Sequence, residues 1–236
     1  MAEREAAART RAPRKAKARR QSADGADGAD FAEAVVEATL ELAEEIGWDE
    51  IRLRLVAARM GVPLSDILTH YRDLDGVADA WFRRGWRAML APPPEGFAAL
   101  PARERVYQVT LRWFDALVAH RKVTGEMLST KLYPSHPHHW VPMIFNLSRT
   151  IHWLREAALL DAVGRQRQME EVGLTALFLA TLAQWLRDDS PGQERTRARL
   201  RRRLGLADSV MARLCRARAG WTRPGTKGTE RTAEAS

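Results

Sequence analysis

Apolar residues recur along most of this chain at spacings of three and four, the period of helices that bury one face. Phe31, Val35, Ala38, Leu42 and Ile46 define the first such face, and Gly47 ends it. Short helical stretches follow at 52–59 and 63–71, and a longer one runs from Asp75 to Leu90. The run Pro92-Pro93-Pro94 stops that helix, since proline lacks the amide hydrogen and clashes with the preceding turn. Pro101 stands where a first-turn proline belongs, and 102–119 continues with Val106, Val109, Trp113 and Leu117 on one side. Lys122–Tyr133 reads as a further helix, closed by Pro134 and Pro137, and 138–160 and 165–188 read as two long ones. Ser190-Pro191-Gly192-Gln193 then reads as N-cap, N1 proline and capping-box glutamine of a last helix reaching Ala217. No stretch sustains a period of two with β-branched residues, so the expected class is all-α with about nine helices.

The two ends break this pattern. Residues 1–30 lack apolar periodicity and finish in a short Ala-Asp-Gly repeat, a composition that predicts a disordered basic tail. Residues 219–236, rich in Gly and Thr, read the same way. The 236-residue chain carries a formal charge of +8, unevenly placed. Residues 1–30 hold eight Lys/Arg against five Asp/Glu, and 187–236 hold thirteen against six, leaving the middle slightly acidic. Such ends attract anions (DNA, RNA or an acidic membrane surface) without choosing among them. The single Cys215 excludes an internal disulfide and fits a reducing, cytoplasmic setting. The apolar run around Leu174–Leu186 is broken by Thr175, Thr181 and Gln184, so neither a spanning helix nor stable membrane insertion is expected.

Residues 52–71, RLRLVAARMGVPLSDILTHY, carry the pattern of a helix-turn-helix. That motif needs a small residue where two helices cross, a glycine in the tight turn, and apolar residues on both inner faces. Ala57 is the small residue, Gly61 the turn, and Leu55, Val56, Val62, Ile67 and Tyr71 the inner positions. Pro63, Leu64, Ser65, Asp66, Thr69 and His70 then face outward on the helix that would enter a major groove. Arg52 and Arg54, opening the first helix, and Arg72, closing the second, stand where they would reach phosphate or a base edge.

An N-terminal helix ending in Gly47-Trp48, this motif, and Asp73-Leu74-Asp75 leading into a long helix together resemble the TetR family of bacterial repressors. The resemblance covers about residues 31–90 at motif level, and the remaining helices agree with it in number and order. It implies a DNA-binding domain over 31–75 and a ligand-binding and dimerisation domain over 76–218. It also implies a homodimer through the last two helices, double-stranded DNA with a palindromic operator as partner, and a small apolar effector. The family's recognition helices usually carry a lysine or small polar residue near Leu64, a glycine or threonine near Asp66, and an aromatic at Leu68. Here an acid and two leucines stand instead.

The stretch from Trp185 to Leu204 holds Asp188, Ser190, Pro191, Thr196, Leu200 and Arg203. It is similar to the same region of some proteobacterial TetR-type regulators, and of the TetR-like lipid-binding accessory proteins of ubiquinone biosynthesis. The second likeness implies a rival reading, a lipid-binding protein on the same fold with no operator. The arginines from Arg195 to Arg203 read as a capped, solvated helix face, with Leu200, Leu204 and Leu214 packing on a dimer partner.

Trp86, Trp113, Phe114, Tyr133, Trp140, Trp153 and Phe178 fall on the middle helices and would line an apolar effector pocket. His136, His138 and His139 read as a surface loop, since no Cys or acid is spaced to complete a metal site. There is no phosphate-binding glycine loop, no HExxH and no nucleophile elbow, so neither a cofactor nor an enzyme is expected.

Overall fold

The computed structural model describes residues 27–131 and 137–221, with side chains outside 131, 137–145 and 208–221. Nine α-helices and no strand occur among the described residues. They are α1 (27–46), α2 (Leu53–Met60), α3 (Leu64–Leu68), α4 (Leu74–Met89), α5 (Ala102–Leu117), α6 (Arg121–Lys131), α7 (Pro137–Ala157), α8 (Gly164–Trp185) and α9 (Glu194–Trp221).

Helix α1 already includes residues 27–30, inside the segment expected to be tail. Tertiary packing explains the difference: a Cβ on Gly28 would lie 3.4 Å from His70 Cε1, and the Phe31 and His70 rings sit 5.3 Å apart. The rest of the predicted tails, 1–26 and 222–236, lies outside the described residues. The buried face of α1 also differs from the expected one. Val35, Val36, Leu40 and Ala43 are buried, whereas Phe31, Ala38 and Leu42 are half-buried and Ile46 is 42% exposed. This helix is enclosed on more than one side. Ala32 meets Tyr71, Glu33 and Glu37 meet Arg84 of α4, and Glu44 meets His120.

Helix α4 starts at Asp73, whose carboxylate accepts from Gly76 N at 2.9 Å. It packs along α5, and the crossing is close because Gly85 has no side chain: a Cβ there would meet Trp113 Nε1 at 2.6 Å. Trp81, 1% exposed, donates its indole N–H to Thr124 Oγ1 at 2.9 Å and ties α4 to α6. Behind this crossing Phe114, Phe178 and Trp185 stack and tilt on one another at 5.4 Å, forming the aromatic centre of the core. Arg105 holds the α5 start to the α7–α8 connection, donating to the carbonyls of Ala158 (2.8 Å) and Leu159 (3.0 Å).

Two sequence expectations at helix ends are corrected. Pro137 falls within α7 rather than after α6. The start of α9 is not capped as a Ser190–Gln193 box. Pro191–Gln193 forms a 3-10 turn with Gly192 and Gln193 at φ 58° and 59°, and the helix starts at Glu194. Ser190 Oγ accepts from Arg195 N at 3.1 Å, and Asp188, fully buried, shares the capping: its carboxylate accepts from Thr196 N (2.7 Å), Thr196 Oγ1 (2.6 Å), Ser190 N (3.0 Å) and Ser190 Oγ (2.5 Å). Gln193 instead donates to Asp115 on α5 at 3.0 Å. The two leucines of this helix expected on a partner are also placed elsewhere. Leu200 (0% exposed) and Leu204 (8%) are buried within their own subunit, in a helix that packs on α5 and α8. Leu214 lies outside the described side chains.

Candidate nucleic-acid interface and ligand cavity

The turn between α2 and α3 follows from one residue. Gly61 sits at φ 68°, ψ 29°, the left-handed region that L side chains resist. Its N–H and that of Val62 close back on the last turn of α2, Val62 N reaching Ala57 O at 3.1 Å. Nothing lies within 4 Å of a Cβ built on Gly61, so the barrier to substitution is conformational, not steric crowding. Gly61→Ala is therefore expected to cost about 1 kcal/mol, with Gly61→Asn milder, as measured by urea denaturation.

Ala57, Val56, Ile67 and Tyr71 are buried as the inner face of this hairpin, while Leu55 and Val62 are half-buried. The Tyr71 hydroxyl donates to Ala32 O at 3.0 Å, fixing α3 against α1, and burial raises its pKa. Outward, Pro63, Leu64, Ser65, Asp66, Leu68, Thr69 and His70 are all exposed, as are Arg52, Arg54 and Arg72. The geometry of each differs. The Arg52 guanidinium folds back onto the carbonyls of Asp49 (2.8 Å) and Ile51 (2.6 Å). Arg72 pairs with Asp73 at 3.0 Å, and Thr69 Oγ1 donates to Asp66 O at 2.6 Å. Leu64 and Leu68 are 39% and 48% exposed, an apolar pair on the outer side of α3.

In the body, a cavity of about 130 Å³ lies among α4, α5, α6, α7 and α8. Phe82 and Trp86 of α4, Trp113 of α5 and Phe178 of α8 supply its aromatic walls. Leu128, Leu147, Leu179 and Leu182 close it, and Asp79, Asn146 and Thr150 are its polar margin. Thr150 is already engaged: it accepts from Trp86 Nε1 (2.9 Å) and donates to Asn146 O (2.8 Å). Of the aromatic residues singled out from sequence, Trp86, Trp113 and Phe178 meet at this cavity. Phe114 stands behind its wall, edge-on to Trp113 at 5.0 Å. Trp153 faces away, 37% exposed in a separate surface groove with Pro93 and Arg112, so it does not belong to this pocket. Tyr133 and the Trp140 side chain lie outside the described residues, as do His136 and the side chains of His138, His139 and Cys215.

Phe82 and the aliphatic walls Leu128, Leu147, Leu179 and Leu182 are not among the residues the sequence singles out. A usable signal was present on α4, where Asp79, Phe82 and Trp86 fall on one face at spacings of three and four. No group of three or more metal-binding side chains occurs among the described residues, and none of their helices is long and apolar enough to cross a membrane.

A helix-turn-helix held on an all-helical body is the architecture of a helix-turn-helix transcription regulator. The fold is similar to the crystal structure of the TetR transcriptional regulator from Nitrosomonas europaea ATCC 19718, with 38% identity and a TM-score of 0.68. That match covers 76% of this chain and 98% of the other. The chain belongs to the TetR family of transcriptional regulators. A TetR transcriptional regulator from Rhodococcus sp. RHA1 shares the fold at 17% identity and a TM-score of 0.53, over 73% of this chain and 92% of that one. No protein-family model and no curated protein sequence matches the chain.

Proposed function

We propose that this protein is a one-component repressor: a homodimer that binds a palindromic operator and changes its affinity when a small apolar molecule enters the body. The observation that carries this reading is the double duty of α4. Its N-terminus, capped by Asp73, follows directly on the outward-facing α3, and its Asp79, Phe82 and Trp86 wall the cavity. A ligand that binds one position of α4 better than another shifts the spacing of two reading heads by that difference in affinity. The reading unit is residues 31–75 and the ligand and dimer unit 76–218. Dimerisation draws support from α8, whose outward stripe includes Met169 (56% exposed), Val172 (71%) and Leu179 (44%), and from Leu206 of α9 (58%).

The test is fluorescence anisotropy on duplexes from upstream of the protein's own gene, titrated over salt, using the full chain and a chain starting at residue 27. Two half-sites about 34–36 Å apart are expected. Removing the basic tail should flatten the salt dependence without changing the preferred sequence. Arg54→Ala should weaken binding to all duplexes alike and lower the salt slope by about one, the mark of a phosphate contact. An absence of sequence preference at moderate salt would sink the repressor reading. One feature favours the rival, a lipid-binding protein of the same fold without an operator: α3 presents Leu64, Leu68 and Asp66 outward and no cation. Co-purified lipid together with no DNA preference is the outcome that selects it.

A further inference from the structure

The cavity does not end at its aromatic walls. Leu147 of α7 and Leu179 of α8 line both the cavity and an open groove that runs between these two helices along the surface. The groove has a different chemistry. Arg149 and His152 of α7 and Arg167 of α8 line it, with Glu171 as the one acid. Arg167 is paired with Glu171 at 2.8 Å, and that pairing holds the Glu171 carboxyl below its usual range. Arg149 has no hydrogen-bond or ion-pair partner among the described residues and is exposed. Inside the cavity the situation is reversed. Its walls are mostly carbon, the Trp86 N–H and the Thr150 hydroxyl are spent on each other and on Asn146 O, and Asp79 is the one charged residue of the lining.

We propose that the site takes an amphipathic anion, its apolar end among Phe82, Trp86, Trp113 and Phe178 and its anionic head in the α7–α8 groove at Arg149. The inference rests on the cavity being the effector site proposed above, and it adds the class of ligand. An apolar void of roughly 150 Å³ accommodates a benzene ring, so about 130 Å³ holds the end of a short acyl chain or a single ring. A head group drawn fully inside would lose its water and meet no cation, Asp79 being the one charged residue among the lining, so it stays at the mouth. There a guanidinium offers a charge-assisted pair of hydrogen bonds to a carboxylate or similar group. Val172, Ala176 and Leu179 belong both to the groove and to the outward stripe of α8, so a second copy would close over the groove's outer edge.

Isothermal titration of the full chain with octanoate, 1-octanol and octylammonium tests this directly. Octanoate should bind at least tenfold more tightly than octanol. Arg149→Gln should erase that advantage while leaving octanol unchanged. Leu179→Trp, which plugs the mouth at an exposed position, should abolish both. Equal affinity for octanoate and octanol would overturn the proposal. So would tightest binding of octylammonium, which would place the polar end at Asp79, or octanoate binding that survives Leu179→Trp. Operator anisotropy on the same samples separates the two readings. Octanoate binding as described with unchanged DNA affinity leaves this inference standing and removes the ligand response. A DNA response to all three amphiphiles alike does the opposite.

Discussion

Asp188→Ala is expected to be among the most destabilising single substitutions in the chain, lowering the unfolding free energy by about 3–4 kcal/mol in urea denaturation at neutral pH. The carboxylate is fully buried, and burial alone would raise its pKa. The hydrogen bonds from Ser190 and Thr196 outweigh that and hold it down to about 2. Alanine removes the acceptor and leaves Thr196 N–H, the first turn of α9 and the Ser190 amide without it. The consequence reaches further than one turn. Helix α9 lays Leu200 and Leu204 into the core, so a loosened start frees the packing of α5 against α9. The same carboxylate sets an acid limit. Its pKa is lower folded than the roughly 3.9 of an unfolded aspartate, so its stabilisation is complete above pH 5. As pH falls from about 5 toward 1 that contribution is lost, about 2–3 kcal/mol in all, and Asp188→Asn should be correspondingly flatter over that window.

Gly85→Ala is expected to destabilise by about 2 kcal/mol, although alanine is the better helix former by about 1 kcal/mol. The new methyl carbon would stand 2.6 Å from Trp113 Nε1 and 2.8 Å from Trp113 Cδ1, too near for any side chain to tolerate. Either α4 and α5 separate or the indole turns. Because Trp113 is buried against Phe82, Phe114 and Phe178, its displacement also deforms the cavity wall. Ligand affinity should therefore fall together with thermal stability. Trp113→Leu should cost less in the Gly85→Ala background than in the unsubstituted protein, giving a favourable coupling energy in a double-mutant cycle. Strict additivity of the two substitutions would refute the contact as the cause.

The stretch around Asp188 shows how far local sequence carries. Its residues were recognisable as a signature, and a helix start was placed at Ser190 from capping chemistry. Ser190 does accept from Arg195 N, but the box with Gln193 does not close: Gly192 and Gln193 turn left-handed, and the chain returns Thr196 to a carboxylate eight positions earlier. A capping rule with a fixed spacing cannot see such a loop. The hairpin at Ala57 and Gly61 was legible because its requirements are short-range: one small residue, one left-handed turn and a few inner apolar positions. Trp153 was misplaced for the opposite reason. Nothing in its own neighbourhood distinguishes an outer groove from an inner cavity, and only the path of α7 past α4 and α5 does.

Sequence by itself determined the helices, their order, the helix-turn-helix hairpin and the resemblance to the family, because apolar period, proline and glycine act within a few residues. Tertiary structure decided which faces became interior. Leu200 and Leu204 turned inward to their own subunit, and Gly85 yielded its place to Trp113. It also decided that Leu147 and Leu179, unremarkable in the sequence, stand between an apolar cavity and a charged groove. Burial depends on which helices cross, and crossings are set by the fit of many side chains at once.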